Sequence, residues 1–220
     1  MNILKLSRNV AMTLGVVVGA ISSAQAVPIL TFGQVGQANV VTGTRVGNAT
    51  TISADNAVVN ITQIDAPVGA GLNAFLTFNF ENTTPVVMVG PVITQHFSGD
   101  FCISSLANCT GTRYLFGEFI DIAFGTGAAL VLAASTPPEA NVDFESDVIL
   151  SLGFDRGVGF SFANVTPLLA EVNDTIDSFG SSVSGVFSAN IGVAEPETFA
   201  LLMMGLVAVG LARRRRKPLD

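Results

Sequence analysis

Apolar side chains recur at every second position through the middle of this chain. Leu76, Phe78 and Phe80 alternate with Thr77 and Asn79. Val142, Phe144, Val148 and Leu150 are set against Asn141, Asp143, Glu145 and Asp147, and Val158, Phe160 and Phe162 repeat the theme, as do Val183 and Phe187. A period of two sends successive side chains to opposite faces, so these segments predict half-buried β-strands. The runs Tyr114 to Phe124 and Gly127 to Ala134 are more continuously apolar and predict deeper strands. Between them lie turn signals at Pro67 to Gly71, Thr83-Thr84-Pro85, Gly125 to Gly127 and Pro137-Pro138. Short strands punctuated in this way predict an all-β fold, specifically a single antiparallel β-sandwich or jelly roll. Leu168 to Ile176, following Pro167, is the sole candidate helix and reads equally well as a loop.

The two ends follow a different pattern. Residues 1–26 have the layout of a secretory signal peptide: Lys5 and Arg8, an apolar stretch from Val10 to Ile21, and Ala24-Gln25-Ala26 as a small-residue cleavage site. Near the other end, Phe199 to Ala212 is free of charge and proline and runs into Arg213, Arg214, Arg215, Arg216 and Lys217. In lipid such a run satisfies its backbone polar groups only as a helix. Counted from Pro196 it spans about 25 Å at ~1.5 Å per residue, slightly short of the ~30 Å hydrocarbon core. Arginines reaching to the headgroups make up the difference. A basic cluster stays cytoplasmic, which places the preceding domain across the membrane. The chain therefore divides into a signal peptide (1–26), an acidic β domain (27–194) and a sorting and membrane segment (195–220).

The Glu195-Pro196 pair, the apolar run and the arginine cluster together resemble the PEP-CTERM sorting signal of Gram-negative bacteria, over about residues 193–217. Ala194 stands where that family has its first proline, so the motif reads Ala-Glu-Pro. The resemblance implies recognition of Glu195 and Pro196 by an exosortase-type transpeptidase, with Arg213 to Arg216 as the membrane stop. It also implies a setting of exopolysaccharide export, biofilm or floc formation. Expected partners are signal peptidase, that transpeptidase, the inner membrane in passing, and extracellular polysaccharide.

Charge narrows the middle domain further. Between residues 27 and 194 only Arg45, Arg113 and Arg156 are basic against fourteen acids, a net charge of −11. Nucleic-acid binding needs the opposite sign and is excluded. Sixteen phenylalanines and no tryptophan predict a core of aromatic rings without polar handles.

Candidate chemistry is sparse. Cys102 and Cys109 are the only cysteines, and in an exported protein an even pair reads as a disulfide. A metal site with His96 lacks a fourth ligand and the paired spacing of zinc sites. His96, the only histidine, has no Gly-x-Ser-x-Gly elbow to serve. Asp143, Glu145 and Asp147 read as one strand face, with spacing compatible with inverting glycoside hydrolysis. The chain supplies no tryptophan and only Tyr114 as a sugar platform, and no loop gathers these acids around calcium. A solvated acidic face is the expectation, with no catalytic residue, metal or cofactor assigned. Asn48, Asn60, Asn82, Asn108, Asn164 and Asn173 each begin an Asn-x-Ser/Thr triplet, a pattern of glycosylated surfaces that hydroxyl-rich strands and turns also produce.

The expected function is a non-enzymatic surface or matrix protein, exported, held by its C-terminal segment and then processed. The alternatives are a carbohydrate-binding module and a secreted glycoside hydrolase.

Overall fold

The computed structural model describes residues 26–36, 39–135 and 141–190. Thirteen strands follow one another: β1 (Val27–Gln34), β2 (Val41–Val46), β3 (Ala49–Ile64), β4 (Leu72–Asn82), β5 (Val87–Val89), β6 (Val92–Leu106), β7 (Thr110–Thr126), β8 (Ala129–Ser135), β9 (Asn141–Glu145), β10 (Phe154–Thr166), β11 (Glu171–Val172), β12 (Thr175–Ile176) and β13 (Phe179–Asn190). The all-β expectation holds, but the sandwich does not. Eight antiparallel strands pair in the closed ring β1–β3–β4–β6–β7–β8–β10–β13 and back to β1. A sandwich would leave two sheets joined only by side chains. Here the β6–β7 pairing, from Ile93 opposite Gly125 to Leu106 opposite Thr110, joins the two sides by backbone hydrogen bonds.

Two staves of the barrel are interrupted. β2 continues the line of β1, since both lie between β3 and β13. β9 likewise continues β8 along β7. The short β5 pairs only with β6, beyond the end of β4 on the same flank.

The alternating pattern supplies the filling. Phe78, Phe80, Phe101, Phe119, Phe160, Phe162 and Phe187 point inward and are fully buried or nearly so. Phe160 sits among them, its ring centroid 5.3 Å from that of Phe80 and 5.7 Å from that of Phe187. Each buried phenylalanine contributes about 1.5–3 kcal/mol by leaving water. Outward positions carry Thr31, Ser53, Asn79, Asp100, Glu118, Asp143, Ser161 and Ser184. Val58, Ile120, Phe124 and Val186 stand among them as exposed apolar residues.

Tight curvature is permitted at inward positions lacking a side chain. A Cβ on Gly99 would strike the Asn79 carbonyl, and one on Gly117 would strike the Asp143 carbonyl. Glycine at such bends relieves the crowding that closure creates.

The candidate helix at Leu168 to Ile176 is instead a loop carrying the β11–β12 hairpin. Asn173 and Asp174 both take positive φ, at 55° and 61°, the conformation a two-residue hairpin turn requires. The hairpin covers one end of the barrel and buries Thr175 and Ile176. Buried Gln95 holds it: its Nε2 donates to the Thr84 carbonyl at 2.9 Å and the Thr175 hydroxyl at 3.0 Å, and its Oε1 accepts from the Ile176 amide at 3.3 Å. The opposite end is the terminal rim, where Val27 lies opposite Ala189.

The signal peptide and the C-terminal transmembrane helix expected beside the β domain are not seen; residues 1–25 and 191–220 lie outside the described residues. Among the described residues no helix is long and apolar enough to cross a membrane.

Candidate functional site

Register brings together acids that are far apart in sequence. Asn79 on β4 lies opposite Asp100 on β6, Asp100 opposite Glu118 on β7, and Glu118 opposite Asp143 on β9. All four are exposed, so three carboxylates form one row across the outside of the barrel. Like charges placed directly opposite repel. The row borders a shallow depression of about 580 Å³ with Ser98, Ile120 and Val142. A second, of about 420 Å³, lies toward Cys102, Cys109, Phe116 and Glu145.

Arginines partly offset this charge. Arg156, on β10, pairs with the Asp143 carboxylate, and its Nη1 donates to the Phe144 carbonyl at 2.8 Å. It bridges a seam, because β10 is hydrogen-bonded to β8 from Gly157 to Ala163 and not to β9. Arg113 grips Asp147 through Nη2 at 3.0 Å and Nε at 3.3 Å, and its backbone amide donates to the same carboxylate at 2.8 Å. Those hydrogen bonds, the side-chain ones first, hold the Asp147 carboxyl below its ordinary value. The guanidinium also lies 3.8 Å from the centre of the Phe116 ring, covering one face of an aromatic that borders the second depression.

The three acids read as one strand face are therefore separated. Asp143 and Glu145 are on β9, but the strand stops there. The Ser146 Oγ donates to the Tyr114 carbonyl at 2.7 Å and accepts from the amides of Val148 and Ile149 at 3.1 and 2.9 Å, turning the chain. Asp147 is carried to Arg113, and Leu150 projects from the loop rather than from a strand. Among the described residues no group of three or more His, Cys, Asp or Glu side chains converges to hold a metal ion.

Cys102 and Cys109 form a disulfide, with Cα atoms 5.7 Å apart, which takes both thiols out of any metal set with His96. The bond folds the β6–β7 tip over the outer face. Asn56 steadies the tip: its Oδ1 accepts from the Asn108 amide at 2.5 Å and its Nδ2 donates to the Asn108 Oδ1 at 2.9 Å. His96 is exposed on β6, opposite Ile122.

Three of the Asn-x-Ser/Thr asparagines, Asn108, Asn164 and Asn173, have positive φ, a conformation asparagine tolerates better than most residues. Asn82 accepts the Thr50 amide at 2.7 Å. Glu195, Pro196 and Arg213 to Arg216 lie outside the described residues.

Sequence reasoning missed Asp100 and Glu118 as members of this row. Each alternates with inward residues, but only strand register reveals that they face one another. No protein family, curated protein or solved structure matches this chain.

Proposed function

We propose that this chain is an exported surface or extracellular-matrix protein, structural or adhesive rather than enzymatic, acting in an exopolysaccharide or biofilm setting. The observation that carries the reading is the segment from Glu195 to Lys217, an apolar run between a Glu-Pro pair and five cations, which resembles a PEP-CTERM sorting signal. The Cys102–Cys109 bond supports passage through an oxidising compartment. A phenylalanine-filled interior supports a passive role, since both described depressions lie on the outer surface.

Mass spectrometry of the mature protein from envelope and medium tests the reading by reporting both termini and the disulfide together. Cleavage near Ala26 and near Glu195-Pro196 is expected, as is mis-processing when Arg213 to Arg216 become serines. Unchanged maturation of that variant would defeat the sorting role.

A second reading, glycan binding, draws on the outer depression bordered by Asp100, Glu118 and Asp143. Glycan-array binding abolished by Glu118→Gln would favour it over the passive role.

A further inference from the structure

We propose that the terminal rim of the barrel rests against the bilayer while the chain is membrane-held, its loop tips dipping apolar side chains into the lipid interface. The inference rests on the export and sorting reading above. It is carried by where the chain leaves the barrel, and the apolar residues at that end fit it.

Four segments surround the terminal rim in ring order: the β3–β4 loop, the paired ends of β1 and β13, the β9–β10 loop and the β6–β7 tip. Each presents one large exposed apolar side chain. Val68 is 42% exposed, Val27 48%, Leu150 92% and Leu106 57%. Isolated apolar residues on a surface are ordinary, so these four fit a lipid-facing rim without selecting it. The loops are also nearly uncharged, although the domain as a whole is strongly acidic. Residues 65–71, 106–109 and 146–153 contain only Asp65 and Asp147, and Asp147 is paired with Arg113. Exposed Glu145 and Asp155 flank the last of these loops, so the loop tips and not the strand ends are the parts that approach headgroups at little electrostatic cost.

The tether selects this end. The described chain leaves the barrel at Asn190, on the terminal rim, and the apolar run begins at Phe199. The eight residues between them reach at most about 28 Å when fully extended. Along β4 alone, eleven residues at ~3.3 Å and ~40° tilt make the barrel about 28 Å tall. Presenting the capped end to the bilayer would stretch the tether to its limit, whereas presenting the terminal rim needs no stretch. The capped end exposes Val46, Val87, Met88, Val89 and Leu168 in turn, so the tether and not apolar exposure makes it the end facing away from the membrane.

The test uses the full chain reconstituted in vesicles of equimolar phosphatidylethanolamine and phosphatidylglycerol. Leu150→Cys, Leu106→Cys and Met88→Cys are labelled singly with an environment-sensitive fluorophore, leaving the native disulfide intact. Circular dichroism of each variant confirms the fold. Emission at 150 and 106 is expected to shift to shorter wavelength and to be quenched by lipid-borne spin labels, while emission at 88 stays aqueous. Resistance to alkaline carbonate extraction reports separately on the C-terminal segment. A carbonate-resistant chain with an aqueous signal at 150, or a quenched one at 88, overturns the orientation and leaves the sorting reading standing. A chain fully extracted by carbonate overturns both.

Discussion

Gln95 and Thr175 meet inside the capped end of the barrel, the Gln95 Nε2 donating to the Thr175 hydroxyl at 3.0 Å. The Thr175 hydroxyl also lies 2.7 Å from that of Thr50, which in turn donates to the Ile176 carbonyl. A wall strand, the cap hairpin and the start of β3 are thereby joined by side chains hidden from water. Gln95→Leu strands the Ile176 amide and leaves the Thr84 carbonyl with only the Asn82 Nδ2 donor at 3.3 Å, and an unpaired buried group costs about 1–3 kcal/mol. A loss of about 2–3 kcal/mol in urea unfolding is expected, with Thr175→Val non-additive to it. Simple additivity would show that the two residues act separately.

Phe160 is the hub of the filling, with ring neighbours including Phe32, Phe78, Phe101 and Phe119. Phe160→Ala leaves a cavity those rings fill incompletely and should cost about 3–5 kcal/mol. Thermal unfolding with matched urea curves measures it. A cost near 1 kcal/mol would mean that the core collapses freely around the gap.

Glycines divide sharply by position. A Cβ at Gly117 meets the neighbouring strand's backbone, whereas Gly33 has open space around it. Gly117→Ala should destabilise by more than about 3 kcal/mol, while Gly33→Ala stays within about 0.5 kcal/mol of wild type. Equal effects at the two sites would remove the crowding argument.

Glu118 faces Asp100 on one side and Asp143 on the other. Glu118→Gln should therefore stabilise the barrel by about 0.2–1 kcal/mol in low salt, and added salt should shrink the gain by screening. A destabilised variant would point to a cation held by the row.

Acid should weaken two latches. Asp177 accepts from Arg45 Nε at 3.0 Å, and that bond, with help from the Ser178 backbone, holds its carboxyl below the ordinary value near 3.8. Asp147 is lowered in the same direction by Arg113. A depressed folded value stabilises above the unfolded one, and the contribution is lost as pH falls through the folded value. The stability gap between wild type and Asp177→Asn should be constant above about pH 5 and should close below about pH 4. Urea midpoints across a pH series measure it; a gap widening toward acid would contradict the assignment.

The period-two pattern at Leu76, Phe78 and Phe80 was enough to read strands and an aromatic core, and an even pair of cysteines in a chain read as exported was enough to read the disulfide. Closure was not legible. One buried face and one wet face describe a sandwich strand and a barrel stave equally well. The choice is made by the β6–β7 pairing and by inward glycines such as Gly99, whose meaning depends on the neighbouring backbone. Asn173-Asp174 carried a hairpin signal inside a stretch with helix-like apolar spacing, and the left-handed turn prevails there. The acidic row stayed hidden because Asp100, Glu118 and Asp143 become neighbours only once register is fixed. Val148 and Leu150 extend an alternation that Ser146 ends by capturing two backbone amides.

The position of β13 has a consequence for biogenesis. It is the stave between β1 and β10, so the first and last segments of the barrel zip together. A chain that emerges N-terminus first cannot complete its ring until Asn190 has emerged, and until then two adhesive edges stand open. Closure must outpace clumping of that half-built sheet, which makes the interval before β13 arrives the stage at which this protein is most vulnerable.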